Sequence, residues 1–477
     1  MSRGESDGVL VRDFIHASLY HPTEGYFVSN AAAVGALAKP ISFRQLAGRR
    51  EWEALQRSLY ASADTAWFTP SELFQPWYGY AVLDFILSSH SSATPLKIYE
   101  VGGGGGTLAR NILDRLQETA PAVYRRCRYT SVEISPALAK RQRERITTKH
   151  MHVPATATAA TATGTQAPAA LSAVRRAPWV ANGARRSFGS DDASHEAVHS
   201  VAVFDAADAK GWGTPSNEPC FILLFEVLDN LPHDRVQWCR EENEWQETRV
   251  RHLEGWEKSC NKVLEEEKSR PCEVLRRVSD PLIQRCLTTV LNQSPSSGVS
   301  PPLSSSSGSS SSSSGGGGSM LSRLSSSLQG MLASLMGGER VTWLPTGCMR
   351  LLETVYTARP NATVIAADFS FLPDVRIAGA NAPLVAAKRG GVTQDQPTYL
   401  VPRGSADIFF PTDFGLLERM DAAACAPSSV ERIRGSISSA EFLSSIAGNT
   451  FTKDGYNPLL HDFPNTRIFV STPEQLS

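Results

Sequence analysis

Acidic residues and glycines follow one another closely in the segment "IYEVGGGGGTLARNILDRL", residues 98–116. The glycine run at 102–106 carries no side chains, so a ligand can approach its backbone directly. Backbone N–H groups at the start of a helix also attract polar or anionic ligand groups. β-branched and aromatic residues precede the run, and apolar residues recur every four positions after it. This pattern predicts a strand, a glycine turn and an amphipathic helix, the first unit of a nucleotide-binding α/β fold.

The glycines alone do not identify the nucleotide. A dinucleotide fingerprint, G-x-G-x-x-G, can be placed on the run at will because every position is glycine, so that match is uninformative. The acid before the turn is more telling. It gives the order Glu100-x-Gly102-x-Gly104-x-Gly106, which is similar to motif I of class I S-adenosylmethionine methyltransferases. We therefore expect S-adenosyl-L-methionine as the cofactor, held by these four residues.

Two further strands are predicted to end in acids that contact the same cofactor. The segment "CRYTSVEIS" ends near Glu133, a carboxylate positioned to accept hydrogen bonds from both ribose hydroxyls. An acid at this place is also expected in NAD enzymes, so it indicates a ribose without choosing the cofactor. The segment "HSVAVFDAADA" contains Asp205 and Asp208, either of which could lie near the adenine amine. The sequence does not choose between these two.

A fourth strand, "CFILLF", is followed by Glu226 and Asp229. If the chain turns helically after the strand, these carboxylates share one face. That face would lie at the carboxyl edge of the sheet, where ligands bind in open α/β folds. Without that turn they are two loop acids. The alternative is that one acid caps the following helix while the other pairs with Arg235. The later segment "TVIAADFSFL" is expected to return the chain to the same sheet.

Length and composition limit the class of protein. The chain has 477 residues, of which 41% are hydrophobic and 20% charged, so it can bury a large core in two or three domains. A formal net charge of -1 gives no support for general attraction to nucleic acid or membrane surfaces. No apolar run approaches the roughly 20 residues that span a bilayer. We expect a soluble protein without membrane insertion, whose presequence is missing or already removed.

The eight cysteines are scattered without a C-x-x-C pair or a histidine at zinc-finger spacing, which favours a reduced compartment and no metal site.

Two low-complexity stretches interrupt the chain, one rich in Ala and Thr and one in Ser and Gly. The predicted organisation is a helical N-terminal region at 1–90 and a core at 91–292 with a disordered insertion at about 154–200. A flexible linker at 293–338 and a C-terminal part of the core at 339–477 follow.

Six segments in order resemble the MidA family of methyltransferases, whose mitochondrial members are protein arginine methyltransferases required for respiratory complex I assembly. They are "SLYHPTEGYF", "FTPSELFQPWYG", "YEVGGGGGTL", "VEISPAL", "FEVLDNLPHD" and "DIFFPTDF". The chain departs from the family at Phe225, where asparagine is common, and in the permuted order of residues 69–72. The low-complexity stretches are also foreign to compact members.

The resemblance implies a class I (Rossmann-like) methyltransferase sheet that uses S-adenosyl-L-methionine to methylate arginine on a protein substrate. It implies a mitochondrial location and a complex I subunit as a possible partner, and it leaves the oligomeric state open. An arginine acceptor is protonated at physiological pH, so two carboxylates could hold it by bidentate hydrogen bonds. Glu226 and Asp229 are the candidate catalytic residues. His233 is either the acceptor of the released proton or a plain loop histidine, and Glu72 either closes over the cofactor or caps a helix.

Two other function classes remain open at this point. A catalytically silent assembly or scaffold protein would keep the fold, as Phe225 and the long linkers allow. A nicotinamide-dependent oxidoreductase would need a distinct third glycine that packs the helix on its strand, and a site for hydride transfer. Neither feature can be identified in the sequence. Binding of S-adenosyl-L-methionine measured against NAD(H) separates these classes.

Overall fold

The structure is a computed structural model that describes residues 8–29, 34–62, 68–91, 93–146, 150, 198–251, 271–291, 340–389, 392–428 and 430–474. The linker predicted at 293–338 lies outside these residues. The same holds for the insertion predicted at about 154–200, apart from its last three residues. Two of those three residues begin a strand, so the insertion ends earlier than the composition indicated.

The strands, in chain order, are β1 Val9–Leu10, β2 Lys97–Val101, β3 Arg128–Glu133, β4 His199–Val203, β5 Cys220–Phe225, β6 Asp234–Cys239, β7 Glu244–Arg251, β8 Cys272–Arg277, β9 Val341–Leu344, β10 Ala362–Phe369, β11 Leu384–Arg389, β12 Val392–Asp395, β13 Asp407–Phe409, β14 Arg432–Ser438 and β15 Thr466–Pro473. The α-helices are Val11–Tyr20, Tyr26–Ser29, Arg49–Ser62, Pro70–Leu73, Trp77–Ser89, Thr107–Thr119, Pro121–Tyr124, Pro136–Ile146, Pro281–Leu291, Thr346–Ala358, Phe414–Cys425, Ser439–Phe442 and Pro458–His461.

A seven-stranded sheet with the order β14-β15-β10-β5-β2-β3-β4 forms the centre of the molecule. The strands from β10 to β4 are parallel, whereas β15 runs antiparallel to both β10 and β14. The four strands predicted from residues 95 to 226 are therefore present as β2 to β5. The predicted return of the chain is β10, which pairs with β5 in the register Ala367 to Phe225.

Helices cover both faces of this sheet, and the sequence of β5 shows why. All six of its residues are buried, as expected for a strand in the middle of a sheet that is covered twice. Phe221, Leu223 and Phe225 belong to a core cluster with the helices Trp77–Ser89 and Thr107–Thr119. The alternate residues of β5 belong to a second cluster with helices that follow residue 345. The mixed α/β fold is thus confirmed, with a mostly parallel sheet.

Two smaller sheets, which the sequence analysis did not predict, join this core. One has the order β1-β7-β6-β9, with β8 paired to β7, and the other has the order β12-β11-β13. A local signal for β6 exists, because Val236 and Trp238 alternate with polar residues before Asn243, which takes the positive φ of a turn, 52°. The region before residue 91 is mainly helical, but β1 pairs with β7. The division into domains stays a prediction.

Among the described residues, no helix is long and apolar enough to cross a membrane. The seven cysteines in this part of the chain are free thiols. In the same residues, His, Cys, Asp and Glu form no group of three or more that could hold a metal ion.

Candidate functional site

A cavity of about 650 Å³ lies at the carboxyl ends of the central strands, with the glycine turn in its wall. Gly102 and Gly104 have φ values of 66° and 51°, in the left-handed region that favours glycine. A Cβ atom on Gly102 would lie 2.9 Å from Val227 Cγ2, and one on Gly104 would lie 3.1 Å from Val34 Cγ1. The turn therefore joins β2 to its helix, as predicted, and side chains from elsewhere in the chain pack against it.

Gly106 differs from the other glycines that were predicted to bind the cofactor. It does not line the cavity. Instead it is the N-cap of the helix Thr107–Thr119, with φ 77°. A Cβ atom there would lie 3.3 Å from Gln142 Cα. This position lets the helix approach Gln142 closely, and contact of Gly106 with the cofactor stays a prediction.

Glu100, the acid before the turn, lies beneath the glycines. Only 2% of the residue is exposed. A Cβ atom on Gly103 would lie 2.7 Å from Glu100 Cδ, so this carboxyl group packs directly against the turn. Burial raises the pKa of Glu100 to about 7. The Tyr129 side chain hydrogen-bonds to this carboxyl group and favours its ionised form, and a cationic ligand in the cavity would do the same.

Glu133, at the end of β3, is held in place by two donors. Its Oε1 accepts a hydrogen bond from Ser135 N at 3.0 Å, and its Oε2 accepts one from Gln142 Nε2, also at 3.0 Å. Gln142 Nε2 donates as well to the carbonyl oxygen of Gly104 at 3.0 Å. Gln142 thus fixes Glu133 relative to the glycine turn. Burial raises the pKa of Glu133 to about 7.

The structure separates the two acids that follow β4. Asp205 lines the cavity, where its Oδ1 accepts a hydrogen bond from Ala207 N at 2.9 Å and its Oδ2 lies 3.5 Å from His16 Nε2. Burial opposes ionisation of Asp205, but the hydrogen bonds with His16 and Ala207 outweigh it and lower its pKa. Asp208 lies outside the cavity wall and accepts a hydrogen bond from Lys210 N instead. Of these two acids, Asp205 is therefore the one that borders the cavity, and its contact with the cofactor stays a prediction.

Glu226 and Asp229 both line the cavity, but not on a helix. Glu226 has a φ of 55°, and the next regular element along the chain is β6. Of the two cases that the sequence leaves open, the structure has the second, in which Glu226 and Asp229 are loop acids. The loop is held instead by hydrogen bonds from Glu226 N to Ala367 O at 2.8 Å and from Asp229 N to Asp368 Oδ2 at 3.0 Å. Within the described residues, Glu226 Oε1 and Asp229 Oδ1 are buried without a hydrogen-bond partner.

The interpretation in which one of these acids caps a helix and the other pairs with Arg235 was wrong. No helix follows for either acid to cap. Arg235 donates to Thr248 Oγ1 at 3.1 Å and pairs with Glu273 at 3.2 Å. The acids therefore remain available to a ligand in the cavity.

His233 does not line this cavity, so the proposal that it accepts a proton from the acceptor was wrong. Its ring stacks on Phe410 with centroids 3.8 Å apart and an interplanar angle of 6°. Its Nδ1 lies 2.8 Å from the carbonyl oxygen of Leu231. Burial lowers the pKa of His233 to about 3, so the imidazole is neutral at physiological pH. Its role is in packing.

Glu72 links the N-terminal region to the glycine turn. Its carboxylate accepts hydrogen bonds from Leu37 N at 2.5 Å and from Thr107 Oγ1, and it pairs with Arg145 at 3.3 Å. The capping alternative was wrong, because Thr69 caps the helix Pro70–Leu73 by accepting a hydrogen bond from Glu72 N. The side chain lies in the cavity wall. Closure of Glu72 over the cofactor stays a prediction.

Asp407, on β13, was missed as a site residue although it lies in the segment "DIFFPTDF". It lines the cavity, and its Oδ1 accepts a hydrogen bond from Asn230 Nδ2 at 2.9 Å. Burial, and then the charge of Asp229, raise the pKa of Asp407 to about 7. The same two causes raise the pKa of Glu226 well above its usual value. The available signal was the resemblance of that segment to the MidA family.

Comparison with known proteins identifies the family. Residues 79–431 match a family described as "Putative S-adenosyl-L-methionine-dependent methyltransferase". The chain belongs to this family. The predictions of a methyltransferase and of S-adenosyl-L-methionine as its cofactor are therefore confirmed at the level of the family. No curated protein matches the chain.

Two solved structures were found to be similar to the chain. A crystal structure of a "likely methyl transferase" from Burkholderia thailandensis, bound to S-adenosyl-homocysteine, matches with 14% sequence identity and a TM-score of 0.53, covering 98% of this chain and 88% of the other. A second crystal structure from the same organism, of an uncharacterized protein, matches with 13% identity and a TM-score of 0.49, covering 98% and 87%. The first of these likenesses supports the α/β methyltransferase fold.

The residues of the cavity wall have the charges and positions that S-adenosyl-L-methionine would need. The cofactor carries a sulfonium and an ammonium group, and a cation near the turn would favour the ionised form of Glu100, whose carboxyl group packs against the glycines. Glu133 would hold the ribose hydroxyls, since Gln142 orients it against the glycine turn. The backbone of Gly102 and Gly104 would lie against the ligand.

The raised pKa of Glu133 predicts a pH-dependent stability difference between the ligand-free wild type and the Glu133→Gln variant. The folded pKa of about 7 exceeds the usual 4.5, so the folded state holds this proton longer than the unfolded state. Its contribution is fully present below about pH 4.5 and is lost as the pH rises through 7. We expect the free energy of unfolding of the wild type to fall relative to the variant by up to about 1.4 kcal/mol per pH unit between pH 5 and 7.

Urea unfolding at several pH values measures this difference. Groups that do not interact with Glu133, including the neutral His233, titrate alike in both proteins and cancel. Glu100 does not cancel, because the charge of Glu133 raises its pKa, and the loss of that charge in the variant changes the difference in the same direction. A difference that stays constant with pH, or that grows in favour of the wild type, would contradict the assignment of Glu133 as a buried acid with a raised pKa.

Proposed function

We propose that the chain is a class I methyltransferase that transfers a methyl group from S-adenosyl-L-methionine to an arginine side chain of a protein. The strand order β14-β15-β10-β5-β2-β3-β4, with β15 alone antiparallel within the sheet, supports the class I assignment. The placement of the glycine turn, Glu133 and Asp205 at one end of the parallel strands supports it too, because ligands bind there in open α/β folds.

The charge of the cavity favours cationic ligands. Among the described residues its wall includes eight carboxylates and three basic side chains, namely Asp13, Glu72, Glu100, Glu133, Asp205, Glu226, Asp229 and Asp407 against Arg12, His16 and Arg350. Arg12 is already paired with Asp234 at 2.8 Å and with Asp280 at 2.6 Å. Five of the eight acids are buried, and such an excess of acids is stabilised by a cation that lies among them.

The observation that carries the proposal is the pair of unpartnered oxygens, Glu226 Oε1 and Asp229 Oδ1, in the same cavity as the glycine turn. A guanidinium is always protonated and presents five N–H donors in a planar fork. Two carboxylates can bind such a group by charge-assisted, bidentate hydrogen bonds. The pair therefore suits an arginine side chain as the methyl acceptor.

The chain's own residues supply orientation and proton transfer. When bound, the cofactor supplies an electrophilic methyl group on a sulfonium centre. Glu226 and Asp229 would hold the guanidinium so that one nitrogen faces that methyl group, and such alignment contributes about 7–11 kcal/mol in well-oriented reactions. The nitrogen that gains the methyl group must release a proton. A cavity carboxylate would take it, because His233 lies elsewhere.

We propose further that the protein acts in mitochondria on a respiratory complex I subunit. This part rests on the sequence resemblance to the MidA family. Mass spectrometry of arginine methylation in mitochondria, with and without the gene, tests it. A site that loses its methyl groups on deletion and regains them with the wild type, but not with Asp229→Asn, would identify the substrate.

The chemical test uses purified protein, tritiated S-adenosyl-L-methionine and an extract from cells that lack the gene. We expect label on protein arginine, read as methylarginine after acid hydrolysis. Label on lysine or on amino termini would reject the acceptor class. Cofactor binding without any transfer would instead favour the scaffold interpretation.

A further inference from the structure

Asp407 belongs to a different part of the fold from the proposed acceptor pair, yet it faces the same cavity. It lies on β13 in the smallest sheet. In that sheet β13 pairs with β11, and β13 does not pair with any strand of the central sheet. Only 5% of the residue is exposed. The acceptor pair, by contrast, follows β5 in the central sheet. The loop after β5 and strand β13 thus both contribute carboxylates to the wall of the same cavity.

Asn230 fixes Asp407 relative to the acceptor loop. Its Nδ2 donates to Asp407 Oδ1 at 2.9 Å and to Ile408 O at 3.2 Å, and Phe410 N donates to the carbonyl oxygen of Asp229 at 2.8 Å. Tyr20, another residue of the cavity wall, donates its hydroxyl to Asn230 O at 3.1 Å. Because Asn230 directly follows Asp229, this arrangement holds Asp407 at a set position relative to Asp229.

A second observation points to a ligand between these acids. Asp229 is more than nine-tenths buried, and its Oδ1 has no hydrogen-bond partner among the described residues although it borders the cavity. The charge of Asp229 also acts on Asp407 strongly enough to contribute to its raised pKa. Such mutual repulsion within a buried group of acids is relieved when a cation binds between them.

We propose that Asp407 is a third carboxylate of the acceptor site, which contacts the guanidinium and makes the site prefer it to an ammonium group. This inference rests on the proposed arginine acceptor. A planar guanidinium has N–H donors on several edges, so carboxylates from two elements can bind different edges at once. An ammonium is a compact, strongly hydrated charge that gains less from such a distributed set.

The experiment compares the wild type with Asp407→Asn. The amide keeps the shape and the oxygen that accepts from Asn230, but it removes the charge. Asp395→Asn is the matched control, because Asp395 lies on β12 of the same small sheet and outside the cavity wall. The probes are Nα-acetyl-arginine methylamide and Nα-acetyl-lysine methylamide, titrated calorimetrically into each protein with S-adenosylhomocysteine bound.

We expect Asp407→Asn to bind the arginine probe at least tenfold more weakly, to lose most of the preference for it over the lysine probe, and to keep its S-adenosylhomocysteine affinity and melting temperature. Arginine-probe affinity within twofold of the wild type would overturn the inference. So would an equal weakening for both probes, since Asp407 would then act only as bulk charge, or a parallel loss of cofactor affinity and stability. If the wild type binds the cofactor but not the arginine probe, the proposed acceptor itself fails.

Discussion

Replacing Asp229 by asparagine is expected to leave S-adenosylhomocysteine affinity unchanged while kcat/KM for methyl transfer falls about 100-fold, or roughly 2.7 kcal/mol of transition-state stabilisation. The amide keeps the size of the side chain and one acceptor oxygen. It removes the negative charge that pairs with a guanidinium and orients the attacking nitrogen. Because Asp229 Oδ1 has no partner among the described residues, few native contacts are lost.

Two further variants make this result specific. Glu226→Gln should behave like Asp229→Asn, because both acids border the cavity after the same strand. Asp208→Asn is the control, since this acid lies outside the cavity wall. Transfer of tritiated methyl groups to the true substrate and calorimetry with S-adenosylhomocysteine give the two readings. Full transfer activity in Asp229→Asn would exclude this residue from the mechanism and leave the cofactor site standing.

The cofactor half of the site was accessible from sequence because its signals are local. A buried strand, a glycine run and an amphipathic helix lie within twenty residues, and each is fixed mainly by its own residues. The position of Glu133 in the site could be predicted for the same reason, since this acid lies at the end of a strand that the local sequence indicates. Gly106 shows the limit of this logic. Its contact is with Gln142, on a helix 30 residues further along, and no local pattern reports such packing.

The acceptor half depends on pairings that are distant in sequence. The loop after β5 is shaped by hydrogen bonds to Ala367 and Asp368 on β10 and to residues around β13, more than 130 positions away. From sequence, both a helical turn with the two acids on one face and a plain loop were open at this place. Tertiary hydrogen bonds hold Glu226 at positive φ. Asp407 was passed over for the same reason, since its neighbours are assembled only by the fold.

Replacing Gly104 by valine is expected to abolish binding of S-adenosyl-L-methionine. The residue has a φ of 51°, which a β-branched side chain strongly resists. A Cβ atom there would already lie 3.1 Å from Val34 Cγ1, and the extra methyl groups would extend into the wall of the cavity. The ligand would then lose its close approach to the backbone of the turn. Calorimetry should detect no binding at concentrations that saturate the wild type.

The strain of a positive φ must be distinguished from the loss of a ligand contact, and the chain offers a matched control for this purpose. Gly455 has a φ of 88°, lies at the surface and has open space where a Cβ atom would be built. Gly455→Val should therefore carry a similar backbone cost, of order 1–3 kcal/mol, in its melting temperature and yet bind the cofactor normally. If Gly104→Val melts like Gly455→Val but binds no cofactor, the turn contacts the ligand directly. Normal cofactor affinity in Gly104→Val would instead move the cofactor away from the glycines and reject the site.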